Sequence, residues 1–454
     1  MADMVKEETS QENIKELEIN HVTVDVPSLE EEYKKAKGRR NKLLISGICL
    51  LVVFEGAIAG GLGQKMASDN LLERVSREHE IRSTGEIQLT RGFYSGETDF
   101  GYFTGEGQFT YKDGEKYVGE WQENHLNGTG ELHVPNEGNY QGEFLSSEKN
   151  GEGTFNWDDG VIYQGEWKDD KMCGQGTYTT PEGVVYSGTF NDNVLYDGSC
   201  KFKNNTGEYV LTYKSGNIDK ASIKYTDGST YEGTCKSGEL TGIGNMKFAS
   251  GDEYDGAFSK GYRSGQGVYT WNSGDKYDGE WNSDQMTGSG TYTYRDGSYA
   301  SGTFSKNIFT DGSYYIKNDF GKYTFIITAG EPTAVEMVLE NGTTYSGDMC
   351  EGKLSGQAQI KYSNGDKYSG SVVDGQKSGQ GTYTWVSGAS YEGEWSEDQM
   401  NGRGTYLYPA GEDGFKLTGS FEDGQPTGEC QYYVNSAKHY KTDWSNGRCV
   451  KIYE

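Results

Sequence analysis

Three stretches carry an aspartate ahead of a polar residue and a methionine in the same frame: Asp170-Lys171-Met172, Asp284-Gln285-Met286 and Asp398-Gln399-Met400. Each follows a Tyr-x-Gly-Glu-Trp string, at Tyr163, Tyr277 and Tyr391, so the three copies stand 114 residues apart. A recurring carboxylate could act as a general acid or base, but no nucleophile, base and orienting group coincide with it. Enzymatic chemistry is therefore not expected. The Gly-x-Gly pairs downstream recur in every copy and precede strand-like rather than helical residues, so they do not read as phosphate loops. Of five histidines, His125 and His133 flank one loop without the further ligands that a metal site needs. The expectation is no cofactor and no metal.

Cys49 lies in an apolar stretch, and Cys173, Cys200, Cys235, Cys350, Cys430 and Cys449 lie in the repetitive part. Their even number permits disulfides outside a cell, yet the spacings impose none, and structural thiols fit equally. Asn127, Asn204 and Asn341 head Asn-x-Thr sequons.

These residues must be positioned by a chain of unusual make-up. Its 454 residues hold 67 glycines and 35 tyrosines but only 6 prolines. Aromatics at regular intervals among glycines point to a β repeat array rather than a low-complexity linker. The formal net charge of −27 removes the usual source of nucleic-acid affinity and disfavours anionic lipid. Solubility of a long, thin sheet is the simpler use of that charge.

One segment is long and apolar enough to cross a bilayer, Leu43 to Gly63, with a single charge at Glu55. The basic run Lys34 to Lys42 precedes it, which places the N-terminus in the cytosol and the long C-terminal part outside. Ala57-Ile58-Ala59 has the form of a signal-peptidase site, but the polar stretch ahead of it is longer than a usual signal n-region. An uncleaved single-pass transmembrane helix is the expectation. Gly56 and Gly60 form a GxxxG spacing that permits self-association. Residues 1–42 read as a disordered cytosolic tail. Residues 64–92 read as a helical stalk, in which Leu71, Leu72, Val75 and His79 share one face.

From Tyr94 the chain is periodic. The leading tyrosines Tyr117, Tyr140, Tyr163 and Tyr186 are spaced by 23; the series resumes at Tyr231, Tyr254 and Tyr277, and at Tyr345, Tyr368 and Tyr391. Period-2 alternation puts Tyr163, Gly165 and Trp167 on one face, and Gln164 and Glu166 on the other. The glycine between the rings is expected to let a neighbouring aromatic lie over the backbone. Asp113-Gly114, Asp159-Gly160 and Asp296-Gly297 read as two-residue turns joining one hairpin to the next.

The strings "YVGEWQENHLNGTG", "YQGEWKDDKMCGQG" and "YEGEWSEDQMNGRG" resemble the MORN (membrane occupation and recognition nexus) repeat, from Tyr94 to about residue 430. The resemblance implies a long single-layer antiparallel sheet of consecutive hairpins and a function in scaffolding, protein binding or, in some members, lipid binding. The fold class expected is thus all-β: an elongated single-layer sheet of tandem hairpins over 93–454, preceded by one transmembrane helix. Five hairpins make one unit, near 117–230, 231–344 and 345–454, with the Tyr94 hairpin as a cap. The motif glycine is lost at Leu211, Phe325 and Thr442, and the irregular hairpins around Tyr209 and Tyr323 are expected bends or docking points. Ala300 takes the tyrosine place in one slipped hairpin, with Tyr299 beside it.

Trp121, Trp167, Trp281 and Trp395, with Tyr163, Tyr277 and Tyr391, are the candidate binding residues. Aromatics in this pattern form a core, but one sheet layer could leave some rings open to a partner. The reading is a membrane-anchored scaffold or adhesin that binds proteins. Carbohydrate or cell-wall binding is the alternative, and lipid-surface binding at a membrane junction is a third.

Overall fold

The computed structural model describes residues 82–89, 92–99, 102–236, 238–409 and 415–453. The expected tail, the Leu43–Gly63 span and stalk residues 64–81 lie outside them. Among the described residues no helix is long and apolar enough to cross a membrane. They form thirty-three β-strands, from Arg82–Gln88 to Arg448–Tyr453. The stalk expectation fails at its C-terminal end: Arg82–Gln88 is a strand, with Ile87 opposite Tyr94. A helix-like charge pattern yields there to pairing with an available strand edge.

The described chain falls into two compact units, residues 82–265 and 266–453. In the first, successive strands from Arg82–Gln88 to Glu253–Ser259 each pair antiparallel with the next. In the second, the same meander runs from Lys276–Asn282 to Arg448–Tyr453. Burial alternates along the regular strands: in Lys116–Gln122, Tyr117, Gly119 and Trp121 are buried, and Val118, Glu120 and Gln122 exposed. One face of each unit is packed and the other is open to solvent.

The turns differ from expectation. The two-residue turns lie inside each repeat, at Asp169-Asp170, Ser283-Asp284 and Glu397-Asp398, where φ is 50° and 66°, 50° and 67°, and 47° and 69°. Two left-handed residues make the type I′ geometry that matches strand twist, and Asp tolerates it. The Asx-Gly pairs instead close three-residue loops. Gly160 N donates to Trp157 O at 3.0 Å and Trp157 N to Val161 O at 2.8 Å, which is a type I turn completed by a left-handed glycine, with Gly160 at φ 92°.

The irregular hairpins pack differently. Leu211 pairs with Ala221, and Phe325 with Val335, where regular hairpins pair glycine with glycine. Both larger side chains are buried. Tyr209 stacks instead on Phe202, with centroids 4.7 Å apart. The bulge shrinks as well. Thr212 faces Lys220 and Tyr213 faces Ile218, so a single extra residue is accommodated. Tyr209 accordingly precedes Tyr231 by 22 residues rather than 23.

Candidate functional site: the two faces of the repeat sheet

The inner face is built from the motif itself. The Tyr163 ring lies over Gly165 and its cross-strand partner Gly176. A Cβ on Gly176 would sit 2.6 Å from Tyr163 Cε2. The ring covering each glycine pair therefore belongs to the same hairpin, two residues earlier, rather than to a neighbour. Tyr163 Oη donates to Glu166 O at 3.0 Å, and Tyr277 and Tyr391 make the same bond to Glu280 O and Glu394 O at 3.2 and 3.0 Å. Each tyrosine meets its tryptophan edge to face: Tyr163–Trp167 at 5.2 Å, Tyr277–Trp281 at 5.3 Å and Tyr391–Trp395 at 5.2 Å. The tryptophan Nε1 then reaches the preceding hairpin. Trp121, Trp167, Trp281 and Trp395 donate to the carbonyls of Gly107, Gly153, Gly267 and Gly381 at 3.1, 3.2, 3.0 and 3.0 Å.

All seven candidate binding rings are buried. The three tyrosines are 0 % exposed and the four tryptophans 3–6 %. They are the core, and none offers a face to a partner. Burial also holds the phenols above their ordinary pKa, with Tyr391 pushed up to about 12 by desolvation and the nearby Glu394 charge. The motif glutamates are occupied too: Glu166 Oε1 accepts from Gln175 N at 2.7 Å and Glu280 Oε1 from Ser289 N at 3.0 Å. Glu120 does the same for Thr129, whose main-chain N–H holds the carboxyl below its usual range.

The repeated aspartates occupy the second position of the type I′ turn. Asp170 Oδ1 accepts from Lys149 N at 2.9 Å and Asp398 Oδ1 from Lys377 N at 2.8 Å. Asn193 does this for Met172 N at 2.8 Å, so the residue is a strut between hairpins. Sequence reasoning missed what faces it. Lys149 Nζ lies 3.0 Å from Asp170 Oδ1, with side chains 1 % and 3 % exposed, and 5.4 Å from the Trp167 ring. Desolvation lowers its pKa, and Asp170 opposes that shift. Lys377 repeats the arrangement 3.8 Å from Asp398, and 5.0 and 5.1 Å from the Tyr383 and Trp395 rings. Arg263, at the same place in the middle block, is buried with its guanidinium 5.8 Å from Tyr254. The signal was available: Leu126, Met172, Leu195 and Met286 hold this buried position elsewhere, so a cation there breaks an apolar column.

The histidines do not meet. His133 Nδ1 contacts Asn139 Oδ1 at 2.8 Å and His125 Nδ1 contacts Ser147 Oγ at 3.4 Å. Among the described residues no His, Cys, Asp and Glu cluster could hold a metal. The six described cysteines are free thiols.

The outer face distinguishes the blocks. Around the irregular hairpin of the second block it carries Tyr315, Ile326 and Val338, the last two 40 % and 49 % exposed. Their counterparts 114 residues earlier are Lys201, Thr212 and Lys224. The slip that buries Ala300 turns Tyr299 outward, where it stacks on Tyr315 at 5.0 Å. The inner face makes no such exchange: Leu211, Ala221 and Ile223 become Phe325, Val335 and Met337, all buried.

Compared with known proteins, the sequence matches the MORN repeat profile at residues 117–138, 140–162, 163–185, 254–276, 277–299, 368–390 and 391–412. No curated protein matches it. Among solved structures, the SAS-4 (dCPAP) TCP domain of Drosophila melanogaster, in complex with a proline-rich motif of Ana2 (dSTIL), is 12 % identical. That match covers 48 % of this chain and 90 % of that one, with a TM-score of 0.17. A streptogramin B lyase structure is 11 % identical over 64 % and 97 %, with a TM-score of 0.11. Neither likeness carries an argument at those scores. The seven profile matches fall on hairpins whose tyrosine, glycine pair and aromatic partner interlock as one unit, and the chain belongs to the MORN repeat family.

Proposed function

We propose that this chain is a non-enzymatic, membrane-anchored scaffold whose repeat sheet binds a protein partner through its outer face. The observation that carries this reading is the contrast between duplicated blocks. The inner face stays apolar from block to block, whereas the outer face exchanges Lys201, Thr212 and Lys224 for Tyr315, Ile326 and Val338. Folding needs the inner residues. It does not need three solvent-facing polar positions to become apolar, and a partner that covers them supplies a reason. Anchoring rests on Leu43–Gly63 and the basic run before it, with the array on the far side of the membrane from the N-terminus.

The test is retention by the full-length protein of cell proteins, cell-wall polysaccharide and neutral vesicles, beside a variant carrying Tyr315→Lys, Ile326→Thr and Val338→Lys. Protein retention that the variant loses supports the reading. Retention of polysaccharide or vesicles alone overturns it. Protease accessibility of the array on intact cells tests the orientation, and protection would contradict it.

A further inference from the structure

The same outer face carries a second difference between blocks, and it concerns charge. Lys203, in the first block, stands directly opposite Glu208, and Lys247, in the second, opposite Glu253. Both are ion pairs, at 2.8 and 3.7 Å. One block later the lysines are kept as Lys317 and Lys361, but their cross-strand partners have become Lys322 and Lys367. Two attractive pairs are replaced by two like-charge pairs, an exchange that weakens a sheet. All four side chains are exposed. They lie in one register row that crosses the sheet as Lys317, Lys322, Val338, Thr344, Lys361 and Lys367. In a chain of net charge −27, four aligned ammonium groups without an acid opposite them are out of character.

We propose that this row binds an acidic linear segment of a partner protein, and the proposal rests on the scaffold reading above. The spacing sets the ligand. The centres of the two lysine pairs are four strands apart, about 19 Å at ~4.8 Å per strand. An extended peptide rising ~3.4 Å per residue covers that distance in about six residues. The fitting segment therefore has two acidic clusters some six residues apart, with an apolar residue between them to meet Val338. A short peptide is favoured over an anionic bilayer because of range. Screening over about 8 Å at physiological salt confines what a peptide on the row feels to the four lysines and to Glu336 and Glu340, exposed two residues either side of Val338, which disfavour an acid at the segment's centre; a bilayer would face the wider acidic surface as well.

The test uses full-length protein and a fluorescein-labelled peptide with two glutamates at each end and leucines at its centre. A companion peptide carries glutamines in place of the glutamates, and phosphatidylserine vesicles serve as a third probe. The test variant is Lys322→Glu with Lys367→Glu, which restores the acids found 114 residues earlier, Glu208 and Glu253, and their cross-strand pairing, so folding is retained. The reciprocal variant is Glu208→Lys with Glu253→Lys. Expected is salt-sensitive binding of the acidic peptide that falls at least tenfold in the Lys322→Glu/Lys367→Glu protein, with no binding of the glutamine peptide. The reciprocal variant should gain peptide binding at the equivalent row 114 residues earlier, beside Lys203 and Lys247. The proposal is overturned if the acidic peptide binds both proteins equally or neither, or if vesicles alone respond to the exchange. A failed peptide experiment beside intact protein retention would remove this ligand while leaving the scaffold reading in place.

Discussion

Tyr163 packs flat against Gly176: the ring rests on the glycine, and even a methyl group there would fall inside van der Waals contact of Cε2. The same holds for Tyr277 over Gly290. Gly176→Ala or Gly290→Ala should therefore lift the ring and cost on the order of 1–3 kcal/mol, as overpacking does. Gly297→Ala meets no atom within 4 Å and strains only a φ of 87°, for a smaller loss of about 1 kcal/mol. Amide hydrogen exchange, read hairpin by hairpin, should show the first two opening their own hairpin more than the third does.

The buried Lys149–Asp170 pair gives a prediction with two signs. Asp170→Asn leaves Lys149 buried without its counter-charge and should lose about 3–5 kcal/mol of local stability. Adding Lys149→Met recreates the Met172–Asn193 arrangement of the next hairpin and should recover that loss or exceed it. Exchange protection of Lys149–Trp167 amides reports both. Equal destabilisation by the single and double variants would contradict the account.

Alkaline pH should unfold the sheet through its tyrosines. Tyr345, Tyr391 and Tyr408 are pushed up to about 12 by burial, against 10 in the unfolded chain. A group whose pKa is raised by folding contributes fully below its unfolded pKa, and that contribution is lost as pH rises through the folded value. Thermal stability should therefore hold to about pH 10 and fall steeply between pH 10 and 12. Phenolate absorbance should lag behind that of the urea-unfolded chain. Coincident titration curves would mean the rings are not buried in solution.

The hairpin period, the buried aromatic face and the antiparallel order were all legible in the sequence, because each follows from local alternation and spacing. The turns were not. Asp159-Gly160 carries the familiar hairpin signal but sits in a three-residue loop, while Asp169-Asp170, with no glycine, takes the type I′ geometry. The choice depends on register between strands, which a dipeptide does not encode. Lys149 escaped notice for a similar reason. Its burial follows from Trp167 and Tyr140 closing over it, and the sign of that lay in its place in the 23-residue column with Leu126 and Met172 rather than in its polar neighbours. The outer face became informative only when strand pairing put Lys317 opposite Lys322.

The most direct test of the scaffold reading places a photo-crosslinking residue at position 326 or at position 212 of the full-length protein in living cells. These are equivalent outer-face positions, isoleucine in one block and threonine in the other. The account predicts protein crosslinks from 326 that exceed those from 212 severalfold. Equal crosslinking from the two positions, or none from 326, would contradict it.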